Sequence, residues 1–201
     1  MHPKIERVLR QVILKDLDFG RGNYDRQHTE AVVHWMKYLL EHEPLCAELD
    51  SSVLVTTAYA HDWGWSGVFT NSNPTFQEVI DKKSLHMKIS AERISTLLYS
   101  KLVPYFSEKQ RLRIIHLVEN HDRINFLQDA DEFTLLEADT LGMLDSSRVK
   151  STLTPSENER FMKNSIYTKR LPRFIHSTAT RVANELIEKR DPNYIAVASG
   201  P

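Results

Sequence analysis

The sequence predicts an all-α protein, a single-domain helical bundle of about seven to nine helices. Three observations carry this. Apolar residues recur mostly at i, i+3, i+4 and i+7, the period of an amphipathic helix. Glycine is scarce, 6 of 201 residues against roughly 7% in an average globular protein, which argues against a fold of many tight turns. Proline, glycine and capping residues then punctuate the chain at helical intervals. No Gly-X-Y period, low-complexity tract or heptad array is present, so collagen, disorder and coiled coil drop out.

Taken in order, Ile5, Val8, Leu9, Val12 and Ile13 form the stripe of a first helix, stopped by Gly20 and Gly22. A second runs from about Asp25 to Glu43, with Val32, Trp35, Met36 and Leu39 on one face, and Pro44 breaks it. The third follows Asp50 and Ser51 and reaches about His61. Its run Val53-Leu54-Val55-Thr56-Thr57 is β-branched and would also suit a strand. Helix is preferred, because the run continues through Ala58-Tyr59-Ala60 and no partner strand lies nearby. Residues 63–76 read as one long polar loop, with Gly64, Gly67 and Pro74. A fourth helix spans about Ser84 to Leu102, ended by Pro104. Ser107-Glu108-Lys109-Gln110 is a capping box that opens a fifth, reaching about Asn120. The sixth covers about Glu132 to Leu144. Thr154-Pro155 starts the next, with proline at the tolerated first position, and two helices flank Pro172. Residues 191–201 are expected to fray. No repeat or linker divides residues 1–190, which read as one domain.

Composition narrows the function classes. Hydrophobic content is 41%, charged content 26% and net charge −1, so no single-signed field suggests nucleic acid or an anionic membrane as a stable partner. The longest uncharged stretch, Trp63 to Gln77, is polar and contains Pro74, so it does not read as a membrane span. The N-terminus lacks the apolar core of a secretory signal, and a cytoplasmic enzyme or binding module is expected. Cys46 is the single cysteine, which excludes an internal disulfide, a Cys-based zinc finger and an Fe–S cluster. Any metal must therefore be held by nitrogen and oxygen, and the 9 histidines become the question.

Helical geometry sorts them. His28 shares a face with Val32, Trp35, Met36 and Leu39, whereas His34 lies roughly 120° further round. His61 and Asp62 sit where an apolar helix meets the polar loop. His121 follows Ile114, Leu117 and Val118 on an apolar stripe. Asp139 lies mid-stripe among Leu135, Leu136 and Met143. A lone inward histidine is ordinarily a satisfied core residue. An inward carboxylate is costly unless it is paired, protonated or metal-bound. His28, His61, Asp62, His121 and Asp139 all aim inward from different helices, which is what a metal site inside a bundle needs.

The order His28, His61-Asp62, Asp139 resembles the signature of the HD-domain superfamily. The flanks are similar too: His28-Thr29-Glu30-Ala31-Val32, Ala60-His61-Asp62-Trp63-Gly64 and Glu137-Ala138-Asp139-Thr140-Leu141. The segments around His86 and His121 resemble the helices that bring further histidines in many members. The resemblance covers about residues 25–145. A second register, with His121-Asp122 as the central pair and Asp139 or Asp131 as the last ligand, is open. The apolar run and glycines around His61-Asp62 favour the first.

The resemblance implies a metallohydrolase acting on a small phosphate ester, such as a nucleotide. It implies that His28, His61, Asp62 and Asp139 bind one divalent ion. It also implies that Asp62, His86 and His121 serve catalysis at a second ion bridged by Asp62. Neutral imidazole and carboxylate suit Mn, Fe, Ni, Co, Zn or Mg. Lys82, Lys83, Lys88 and Arg93 lie near His86 and are the candidates for binding phosphate, although each also reads as part of a solvated face. Many members carry a lysine just after the His-Asp-x-Gly stretch; Trp65 stands there instead. With Trp63, Phe69 and Phe76 it is a candidate wall for an apolar or base-stacking pocket, or simply for core packing. Two alternatives remain: a dinuclear-iron HD-type oxygenase using the same six ligands, and a non-catalytic nucleotide-binding module.

Overall fold

The computed structural model describes residues 1–69 and 74–190. Nine helices and no strand are found among them. Residues 3–17 form α1, with a π-helical turn at Arg10–Leu14. Then come α2 (Tyr24–His42), α3 (Ser51–Ala60), α4 (Phe76–Asp81), α5 (Lys83–Leu98), α6 (Glu108–Asn120) and α7 (Ala130–Leu144). Residues 155–170 are α8, whose second part, Met162–Arg170, is π-helical, and α9 is Ser177–Arg190. The expected fraying of residues 191–201 lies outside the described residues.

α3 is the centre. Every residue from Val53 to Ala60 is buried, and α2, α6 and α7 pack against it. A helix apolar on all sides is a core helix. This explains why a β-branched run is helical here: burial on every face outweighs its weak propensity disadvantage. Asp50 caps its start by accepting from the Ser52 and Val53 amides at 3.0 and 3.1 Å. α2 lies along α7, and Gly142 permits the close approach. A Cβ there would come within 2.7 Å of Val32 Cγ2 and 3.4 Å of His28 Cε1. Ser107 and Gln110 form the expected capping box of α6, and Thr154 and Glu157 form one on α8.

The stretch 63–76 departs from the expected polar loop. Trp63–Gly67 is a 3-10 turn whose Trp63, Gly64 and Trp65 are buried, and residues 70–73 lie outside the described residues. A helix that periodicity does not reveal, α4, opens on a capping box of Thr75 and Glu78. No described helix is long and apolar enough to cross a membrane.

Candidate metal centre

The five inward residues and His86 meet at one place. His28 comes from the middle of α2, His86 from the first turn of α5 and Asp139 from α7. His61 and His121 each stand immediately after a helix, α3 and α6. Their placement has a common local cause. The last carbonyls of a helix lack intrahelical partners. His61 Nδ1 donates to Ala58 O at 2.9 Å, and His121 Nδ1 to Val118 O at 2.8 Å. A carbonyl only accepts, so the proton sits on Nδ1 and the Nε2 lone pair faces the interior. This fixes tautomer and ring orientation together.

Two triads result: His28, His61 and Asp139, and Asp62, His86 and His121, the candidate ligand atoms of each lying within 4.8 Å of one another. None of the six is more than 6% exposed. His28 and His61 bring their Nε2 atoms to 3.4 Å, and so do His86 and His121. His28 Nε2 lies 2.9 Å from Asp139 Oδ1. Asp62 spans the two sets. Its Oδ2 is 3.7 Å from both His28 Nε2 and His61 Nε2, while its Oδ1 is 3.2 Å from His86 Nε2 and 3.6 Å from His121 Nε2.

The donor set fits a divalent ion in each triad. Imidazole lone pairs and carboxylate oxygens converge in a buried space and repel one another unless a cation or shared protons lie between them. The electrostatics describe the same tension. Burial pushes the His61 pKa down, but the Asp62 and Asp139 carboxylates outweigh it and raise it to about 9. Burial alone would raise Asp62, yet His61, His121 and His86 hold it well below the usual carboxylate range. The Nδ1 atoms of His28 and His86 are buried with no hydrogen-bond partner among the described residues. Flat neighbours fix these rings instead. Tyr24 stacks on His28 at 5.6 Å between centroids, and Trp65 on His86 at 4.0 Å.

A cavity of about 950 Å³ opens on the centre, lined by Asp62, Asp139, Arg21, Tyr24, Trp65 and Lys83 among others. Of the four basic residues singled out for phosphate, only Lys83 lines it, 3.2 Å from Asp122. Lys82 is exposed outside the lining, and Lys88 is exposed beside Glu92. Arg93 serves the 3-10 turn, donating to Trp63 O at 2.9 Å and to Ser66 Oγ at 2.5 Å. The aromatic wall is similarly divided. Trp65 and Phe76 line the cavity, Phe69 stacks on Trp65, and Trp63 turns away to donate to Asp16 Oδ2 at 2.9 Å.

Two cations beside the centre escape sequence reasoning. Arg170, at the end of the π-helical part of α8, is 1% exposed. It donates to Asp139 Oδ2 at 2.8 Å, to Asp122 Oδ1 at 2.6 Å and to Thr140 Oγ1 at 3.2 Å. It thus turns Asp139 so that Oδ1 faces His28 and His61, the orienting role that outer partners play for metal ligands. Asp122, the central carboxylate of the second register, belongs to this ionic arrangement, and Asp131, one choice for its last ligand, pairs with Arg113; neither joins a triad. Arg21, in the turn between α1 and α2, is the other. The only sequence signals were Asp122 directly after His121, and the Gly20-Arg21-Gly22 triplet four residues before Asp25. His176, off the inferred pattern, is buried in a separate cluster. Its Nδ1 donates to Glu137 Oε2 at 2.5 Å, and its Nε2 lies 3.8 Å from Cys46 Sγ. No protein family, curated protein or solved structure matches this chain.

Proposed function

We propose that the chain is an HD-type, metal-dependent phosphohydrolase that cleaves a small phosphate ester, a nucleotide being one such substrate. The carrying observation is the placement of Asp62, one oxygen toward His28 and His61 and the other toward His86 and His121. A carboxylate so placed suits two ions side by side, the arrangement that clamps both oxygens of an in-line displacement. His28, His61 and Asp139 would hold one ion, His86 and His121 the other, with Asp62 shared. Such ions supply a water of near-neutral pKa and stabilise charge on phosphoryl oxygens.

The chain's own residues do the rest. Arg170 orients Asp139. The Ala58 and Val118 carbonyls orient His61 and His121. Trp65 covers the face of His86 and shields it from water. Around the centre the carboxylates Asp25, Asp62, Asp122 and Asp139 face three cations, Arg21, Lys83 and Arg170. Two divalent ions would reverse the net sign and make the cavity attractive to an anion. Beyond them, Arg160 and Lys169 line the outer cavity with no ion pair among the described residues.

The test is metal analysis of protein purified without chelator, followed by a panel of nucleotides and phosphomonoesters with added Mn²⁺, Co²⁺, Ni²⁺ or Mg²⁺. Phosphate release that disappears with Asp62→Ala supports the proposal. The complete six-ligand set also suits a dinuclear-iron oxygenase, for which iron-dependent oxygen consumption without phosphate release would be the mark. Bound nucleotide with neither activity would mark a binding module.

A further inference from the structure

The turn before α2 is built around one side chain. Gly22 adopts φ 56°, a conformation that favours glycine. At Gly20 a Cβ would fall 2.2 Å from Asp25 Oδ2. Both glycines therefore let the backbone wrap the Asp25 carboxylate, which is fully buried. Among the described residues that carboxylate is occupied by Arg21 alone: Oδ2 accepts from its backbone N at 2.5 Å and Oδ1 from Nε at 2.7 Å, with Nη2 ion-paired to Oδ1 at 2.6 Å. The guanidinium lies 4.3 Å from the Trp65 ring centre and 5.1 Å from that of Tyr24. Its Nη2 reaches to 3.7 Å from Asp62 Oδ2. Nη1 has no hydrogen-bond partner among the described residues, and Arg21 lines the cavity.

Neutralising Asp25 does not require reaching the shared carboxylate of the metal centre. The position where the resemblance leads one to expect a lysine carries Trp65, and a positive charge from a distant turn rests on that indole. A guanidinium held by a carboxylate on one edge and by two aromatic faces is pre-organised, so little rotamer entropy remains to be lost on binding.

We propose that Arg21 is the anion-recognition residue of this site. Through Nη1 and the outer edge of Nη2 it takes an oxygen of a tetrahedral oxyanion seated over Asp62. The inference rests on the reading of the cavity as an anion site and names the residue that selects for the anion. The probe is inorganic phosphate, titrated calorimetrically into full-length protein loaded with Mn²⁺, with metal content measured for every variant. Arg21→Gln is combined with Asp25→Asn, so that no buried charge is orphaned. At unchanged metal content its phosphate affinity should fall by about tenfold to a hundredfold, the size of a lost charge-assisted contact. Arg21→Lys, which keeps the charge but not the fork, should lose less than the double variant but still at least about threefold. If the double variant fails to load metal, Arg21→Lys decides. Phosphate affinity equal to that of the parent protein in the deciding variant overturns the proposal, as does a metal-loaded parent protein that binds no phosphate. Arg21-dependent phosphate binding without turnover of any ester upholds the proposal and removes the hydrolase reading instead.

Discussion

Replacing Arg170 by methionine removes the guanidinium that joins Asp139 to Asp122 and keeps a side chain of similar length. Two charge-assisted hydrogen bonds, at 2.8 and 2.6 Å, disappear. At about 1.5–3 kcal/mol each they sum to about 3–6 kcal/mol. Breaking a buried ion pair by removing one partner costs about 3–5 kcal/mol, because the surviving charge stays buried. Here two carboxylates survive, with side chains 9% and 4% exposed. The expected loss in the metal-free protein is therefore about 3–5 kcal/mol, a large part of the roughly 5–15 kcal/mol that holds a domain folded. A divalent ion changes this outcome, since Asp139 would then face a cation with its other oxygen. Guanidinium chloride unfolding followed by tryptophan fluorescence, in EDTA and in saturating Mn²⁺, measures both. The loss should be clearly smaller with Mn²⁺, and Arg170→Lys should fall between the methionine variant and the parent protein. A methionine variant within about 0.5 kcal/mol of the parent in EDTA, the size of an ordinary surface effect, would refute the pairing argument. An equal loss with and without Mn²⁺ would refute its link to the metal centre.

Three further outcomes follow from the geometry. Asp62→Asn, which weakens the donor shared by both triads, should lose at least one equivalent of bound metal by elemental analysis; full retention would remove the assignment of Asp62 as the shared ligand. Gly64→Ala should cost about 1–3 kcal/mol, typical of overpacking, and should lower metal content, because the new Cβ would sit 2.0 Å from the His86 carbonyl oxygen. For His176, burial lowers the pKa, but contacts with Cys46 and Glu137 outweigh it and raise it to about 10. A raised folded-state value means that this histidine's stabilisation is complete below its ordinary value of 6.5 and is lost as the pH climbs through about 10. His176→Gln should therefore destabilise strongly at pH 6 and much less at pH 10.5, and a pH-independent difference in unfolding midpoint would count against the pairing.

The helices themselves were legible because burial follows the 3.6-residue period. The stripes of α2, α6 and α7 face the core where the spacing places them. α4 was not, because it spans 6 residues and buries none, leaving only its capping box as a signal. The basic candidates failed for a geometric reason. Nearness in sequence to His86 is not nearness in space, since each helical step turns about 100°. Lys88 thereby lands roughly 200° from His86 on the same helix. Arg93 returns to nearly the same face two turns on and meets the 3-10 turn instead.

The sequence alone determined which residues turn inward and in what order, since periodicity and capping are properties of single helices. It thereby supplied five members of the two triads, and the family resemblance pointed to the sixth, His86. Only the tertiary structure decided what lies between and behind them. That Asp62 serves both triads depends on how α2, α3, α5 and α6 are set against one another. Arg170 finds Asp139 and Asp122 at separations of 31 and 48 residues. Arg21 reaches a tryptophan and a carboxylate across the mouth of the bundle. A charge that reads as solvated in its own helix or turn becomes part of a site only when packing brings an opposite charge to it and removes the water between them.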